Sequence, residues 1–144
     1  MGVAVMAVKR MDWRAVADGA VIAAALTLLP AIAVRLVKDT DLLGDESNLW
    51  FIPVLTMLAG CAMGGYRAAS RRPEAPLKHA AAAIAVAMAT LFAVVVVRRL
   101  ATGDGLGVPL VLTMVLIVQI TISLGIIGGY VAMRRAGQAP PADP

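Results

Sequence analysis

Four long apolar stretches alternate with short polar segments along this chain of 144 residues. The stretches cover about 15–36, 49–68, 78–98 and 108–133, and no charged residue lies within 19–34, 49–66, 80–97 or 105–133. None of them alternates apolar with polar residues, as a strand of a membrane barrel must. A helix of about 20 residues is about 30 Å long, which matches the hydrocarbon layer of a bilayer. The pattern therefore predicts an all-α membrane protein with four transmembrane helices.

The second and fourth apolar stretches begin and end alike. Residues 53–57 read Pro-Val-Leu-Thr-Met and residues 109–114 read Pro-Leu-Val-Leu-Thr-Met, while Gly-Gly-Tyr occurs at both 64–66 and 128–130. A repeat unit of two helices inserts both of its copies the same way up. We therefore expect two parallel-repeat helical hairpins in a single transmembrane domain over 1–136, followed by a disordered tail over 137–144.

Composition supports a membrane location. The chain is 60% hydrophobic and 15% charged, with a mean hydropathy of +0.85, which is too apolar for a soluble domain of this length. The net charge of +4 could suit nucleic acid, but the basic residues flank apolar stretches and no aromatic residues interleave them. The expected partner is the lipid bilayer, with no role for nucleic acid.

The distribution of Lys and Arg predicts the orientation, because cytoplasmic loops carry the excess. Nine of these residues lie on the side that holds both termini, and four lie on the other. Both termini are therefore expected in the cytoplasm. Six of the nine could also attract anionic lipid head groups, at about 1 kcal/mol each. They are Arg67, Arg71, Arg72, Lys78, Arg134 and Arg135.

Small residues four positions apart predict where the helices cross closely, since backbones approach in lipid through such faces. The second stretch carries Gly60 and Gly64, and the fourth carries Gly125 and Gly129. The two pairs lie at corresponding ends of their helices. This favours tight helix packing within one bundle, and the alternative is that the same faces form a homodimer.

Two polar residues are candidates for transport. Gln119 lies in the middle of the fourth stretch, where it could hydrogen-bond to another helix or line a permeation path. Asp18 lies about one turn inside the first stretch, where it could favour the helix N-terminus, pair with Arg14, or take up a proton or cation. The hydrogen-bond partners considered for Gln119 are Thr27, Thr121 and Ser123.

The residues offer little catalytic chemistry. The chain has one cysteine, Cys61, and one histidine, His79, so no metal-ligand cluster of usual spacing is present in the sequence. Neither a Ser-His-Asp arrangement nor a pair of carboxylates is found within the stretches or their loops. We expect no cofactor and no enzymatic activity.

The layout resembles a family of small four-helix membrane proteins of Gram-positive bacteria that has no assigned activity. The resemblance covers most of the chain and depends on glycine- and arginine-containing ends of the second and fourth stretches, at Gly64, Gly65, Ala68, Arg71, Gly125, Gly128 and Gly129. Many of these proteins have a His-Gly pair where this chain has His79-Ala80. The resemblance implies a bacterial plasma membrane protein and adds nothing on mechanism.

Two functions follow as hypotheses. The first is an accessory or scaffold subunit that packs against a larger membrane protein or against itself. The second is a small transporter or channel that works as an oligomer and uses Asp18 and Gln119.

Overall fold

The computed structural model describes residues 11–40, 49, 51–103 and 105–137, and these residues form helices joined by short loops. The helices are α1 (Trp13–Asp39), α2 (Phe51–Ser70), α3 (Pro76–Ala101) and α4 (Val108–Gly137). The prediction of an all-helical protein with four helices is confirmed. The predicted tail beyond residue 137 lies outside the described residues.

Three of the helices, α1, α3 and α4, are long and apolar enough to cross a membrane, and α2 is shorter. α2 has 20 residues, whereas the other three helices have 26 to 30. α2 also contacts all three other helices. α3 does the same, so α2 and α3 form the middle of the bundle.

The helix pairs are not all in contact with one another. Within the described residues, α2 and α3 contact each other and both contact α1 and α4, but α1 and α4 do not touch. These two therefore lie on opposite sides of the α2–α3 pair. A twofold axis between equal hairpins would make the α2–α3 and α1–α4 pairs equivalent. The helix contacts do not reveal the predicted hairpin repeat.

Close packing is confined to one half of the bundle, which we call the packed half. It comprises α1 up to Ala23, α2 from Gly60, α3 up to Met88 and α4 from Thr121, and it contains every buried position of the described helices. Alanine and glycine dominate the buried positions, and such residues allow backbones to approach. The other half consists largely of exposed valine, leucine and isoleucine, which suit contact with lipid.

The centre of the packed half is filled with side chains. Ile84 and Met88 of α3 are almost fully buried and pack with Cys61 of α2 and Ala23 of α1. Thr121 of α4 is also fully buried, and its hydroxyl donates to the Ile117 carbonyl oxygen at 2.8 Å. This bond satisfies the only polar group of that side chain within its own helix. The result is a solid core between the four helices.

Candidate functional site

Gly64 and Gly65 are adjacent in α2, and this pair, which we call the glycine doublet of α2, contacts two helices at once. Consecutive residues of a helix point about 100° apart, so two adjacent glycines bare the backbone toward two neighbours. A Cβ placed on Gly64 would lie 2.5 Å from the Gly19 carbonyl oxygen of α1. A Cβ on Gly65 would overlap the Gly125 carbonyl oxygen of α4. Both crossings bring backbone against backbone, so neither neighbour can yield by turning a side chain.

Gly128 and Gly129 form the glycine doublet of α4, which also contacts two helices. A Cβ on Gly128 would overlap the Ala62 carbonyl oxygen of α2. A Cβ on Gly129 would lie 2.7 Å from the Ala80 Cβ of α3. Each doublet therefore joins one helix to two others, and together the doublets hold all four helices of the packed half.

The glycines that the sequence singled out all lie in contacts inside the bundle. A Cβ on Gly60 would be 2.8 Å from the Leu26 Cβ of α1, and one on Gly125 would overlap the Ile84 side chain of α3. Gly64 and Gly129 face α1 and α3, as described above. The four-residue spacing missed Gly65 and Gly128, which make the α2–α4 crossing. The repeated Gly-Gly pair was the signal that could have found them.

A group of polar residues gathers where α1 begins and α2 ends. Asp12 is the N-cap of α1, and its Oδ1 accepts from the Arg14 amide at 3.0 Å and the Ala15 amide at 3.4 Å. Its Oδ2 accepts from the Arg72 guanidinium just after α2. The Arg72 side chain beside Asp12 holds the pKa of that carboxyl below its usual value, and the two amide bonds act in the same direction. The cap is therefore ionised at neutral pH.

His79 ties the start of α1 to the start of α3. The Asp12 backbone amide donates to His79 Nε2 at 3.0 Å, and His79 Nδ1 lies 2.9 Å from the Ala75 carbonyl oxygen. The Asp12 amide can only donate, so Nε2 is the acceptor, and a proton on Nδ1 lets that nitrogen donate to the Ala75 carbonyl oxygen. The side chain is only 4% exposed. The sequence placed His79 at a helix start but gave no sign of this contact, which joins residues 67 positions apart.

Asp18 forms an ion pair with Arg71. The sequence offered Arg14 as its partner one turn earlier, and the structure instead supplies Arg71, the first residue after α2. The two side chains are 36% and 45% exposed, so the pair stabilises the fold by no more than about 1 kcal/mol. Asp18 therefore has a structural partner at the α1–α2 contact.

Gln119 lies on the exposed face of α4, away from the core. The hydroxyls considered as its partners bond within their own helices: Thr27 to the Ala23 carbonyl oxygen, Thr121 to Ile117, and Ser123 to the Gln119 backbone carbonyl oxygen at 2.8 Å. The structure does not bring Asp18 and Gln119 together, because they belong to α1 and α4, which make no contact in the described part of the chain.

The six predicted lipid-binding residues divide into two sets. Arg71 and Arg72 pair with acidic residues of α1, and the Arg135 guanidinium lies 5.7 Å from the centre of the Tyr66 ring. The other three are exposed at the same end of the bundle: Arg67, Lys78 and Arg134. None of these three forms an ion pair or a cation–π contact with another described residue.

No cluster of three or more His, Cys, Asp or Glu side chains that could hold a metal ion occurs among residues 11–40, 49, 51–103 and 105–137. The resemblance to small Gram-positive membrane proteins stays a prediction. Comparisons with protein-family models, with curated proteins and with solved structures find no match to this chain.

Proposed function

We propose that this chain is a multi-pass protein of a bacterial plasma membrane that acts without catalysis, as an accessory or scaffold subunit. The observation that carries the proposal is the solid packed half. Its helices meet backbone to backbone at Gly65–Gly125 and Gly19–Gly64, and Ile84 and Met88 fill the space between them. A bundle of this kind offers a rigid surface to neighbours in the bilayer rather than a passage through it.

The proposed topology has four membrane crossings, with α2 as one of them and both termini in the cytoplasm. The glycine contacts join the first part of α1 to the last part of α2, and the first part of α3 to the last part of α4. Successive helices are thus antiparallel, which supports crossing in alternate directions. The excess of Lys and Arg at the end that holds Arg67, Lys78 and Arg134 supports a cytoplasmic location for that end. In this proposal the three residues contact anionic lipid.

We further propose that the two hairpins arose by duplication. The support is the Gly-Gly-Tyr sequence near the end of both α2 and α4, where each doublet makes two helix crossings. The unequal contacts of α2 with α3 and of α1 with α4 would then reflect later divergence of the two copies.

Transport receives less support from the same contacts. Asp18 is paired with Arg71 at the α1–α2 contact, and Gln119 lies on the far side of the bundle on α4. A permeation path needs polar groups in sequence along one route. Two groups on helices that do not touch do not form such a route within one copy of the chain.

The test of an accessory role is made in the native membrane. A tagged chain is extracted in a mild detergent and its mass is determined with bound components intact, and the chain is also deleted from its host. We expect a larger membrane protein to co-purify with the tagged chain at fixed stoichiometry. The assembled amount of that protein should fall when the chain is deleted. Wild type and Gly137→Leu should restore that amount, since Gly137 has open space around it, whereas Gly65→Leu should not. Recovery without a partner, together with solute flux through reconstituted liposomes, would contradict the proposal.

A further inference from the structure

Gln119 carries an amide with no partner among the described residues. Its side chain is exposed on α4, and the neighbouring hydroxyls donate to carbonyl oxygens of their own helix. Gln119 is eleven residues from the first residue of α4, Val108, and fifteen from Arg134, so it lies near the middle of the span. At that depth no water is present to satisfy the amide, and an unpaired polar group in hydrocarbon is costly. The amide is therefore left without a partner in the described part of the chain, and a neighbouring chain in the bilayer could supply one.

The residues around Gln119 form a continuous seam on the outside of α4. Six exposed positions follow one another at alternating spacings of four and three residues: Leu112, Leu116, Gln119, Ser123, Ile126 and Tyr130. This is the spacing by which two helices pack side by side at a shallow angle. A single polar position in such a seam fixes the register of the two helices. We call these six residues the α4 seam.

The glycines cannot supply this contact. Gly60, Gly64, Gly125 and Gly129 all face other helices of the same bundle, so these glycine faces are occupied within one chain. The α4 seam is instead built from large side chains around one amide. Leu58 of α2 and Ile120 and Leu124 of α4 line a groove beside it.

We propose that the α4 seam binds the α4 seam of a second copy of this chain. All copies enter the membrane the same way up, so two α4 helices that pair are parallel and their Gln119 side chains lie at one depth. An amide both donates and accepts, so it is complementary to an identical amide across a twofold axis. The Ser123 hydroxyl oxygen, one turn further on, can accept a second bond. A second copy therefore satisfies the amide with no other chemistry.

This inference rests on the proposed function only in that the chain acts by packing within the bilayer. Its test is disulfide cross-linking in native membranes under mild oxidation. Wild type is a suitable background, because Cys61 is buried. Leu116→Cys places a thiol in the seam, and Leu29→Cys is its control, since Leu29 is 66% exposed on α1 and that helix does not touch α4 in the described residues. We expect a cross-linked dimer from Leu116→Cys and none from Leu29→Cys.

The amide is tested by adding Gln119→Leu or Gln119→Asn to Leu116→Cys. We expect Gln119→Leu to lower the association constant of the dimer about tenfold. Gln119→Asn keeps the amide and should retain most of the wild-type association constant. Both variants are compared at equal amounts in the membrane, which shows that they insert and fold. Equal cross-linking with and without Gln119→Leu, or no dimer from Leu116→Cys, would overturn the inference. Cross-linking of Leu116→Cys to a larger protein would also overturn it, and would leave the proposed function standing.

Discussion

Replacing Gly65 with leucine is expected to lower the free energy of unfolding by at least about 2 kcal/mol. The Cβ alone would overlap the Gly125 carbonyl oxygen and approach the Gly125 Cα to 2.7 Å. Both atoms belong to the backbone of α4, so relief requires the two helices to move apart. That movement would also open the contact of Gly128 with Ala62. Unfolding by denaturant in detergent micelles, followed by helical content, measures the change.

Gly137→Leu is the matched control for Gly65→Leu. Gly137 is the last residue of α4, and nothing lies within 4 Å of a Cβ placed there. We expect the free energy of unfolding of this variant to lie within about 0.5 kcal/mol of the wild-type value. Gly65→Ala should already be destabilised, since the clash begins at the Cβ. Wild-type stability in Gly65→Leu would show that α2 and α4 do not cross at this point.

The second large effect is expected at the contact between Gly125 and Ile84. Ile84 is fully buried, and a Cβ on Gly125 would overlap its Cγ1 while lying 3.3 Å from its Cβ. Gly125→Ala should therefore destabilise the bundle by about 1–3 kcal/mol through overpacking. Ile84→Ala should cost about 2–5 kcal/mol, because it leaves a cavity in the core. The two changes alter the volume of one site in opposite directions.

The double variant Gly125→Ala/Ile84→Ala separates this contact from general damage. The added methyl occupies space that the isoleucine vacates, so the loss should be smaller than the sum of the single losses by about 0.5–3 kcal/mol. Ile84→Ala with Gly137→Ala is the control, and these distant changes should add within about 0.5 kcal/mol. If the losses in free energy of unfolding at Gly125 and Ile84 are additive, the two residues are not in contact.

The four helices could be predicted from the sequence, because a chain in hydrocarbon must satisfy its backbone internally and the apolar stretches have the required length. The small-residue faces were also visible, since glycines at a spacing of four share one side of a helix. That rule selected Gly64 and Gly129 and passed over Gly65 and Gly128. It considers one face at a time, whereas each doublet serves two.

The positions of Gln119 and Asp18 could not be predicted for a different reason. A helix that is apolar on all sides gives no periodic signal of which side faces the core, so the outward position of Gln119 was hidden. The ion pair of Asp18 with Arg71 and the hydrogen bond of Asp12 with His79 each join residues far apart in sequence. Such pairs depend on how the helices cross, and the crossings are set by the glycine doublets.

We propose that all four helices, including the shorter α2, cross the membrane. This topology can be measured by labelling single cysteines with a membrane-impermeant maleimide in intact cells, with wild type as the control because Cys61 is buried. We predict that Thr40→Cys and Thr102→Cys react from outside, and that Ser70→Cys and Gly137→Cys react only after the cells are opened. Reaction of Thr40→Cys and Ser70→Cys from the same side would show that α2 does not cross the membrane and would rule out a bundle of four membrane-spanning helices.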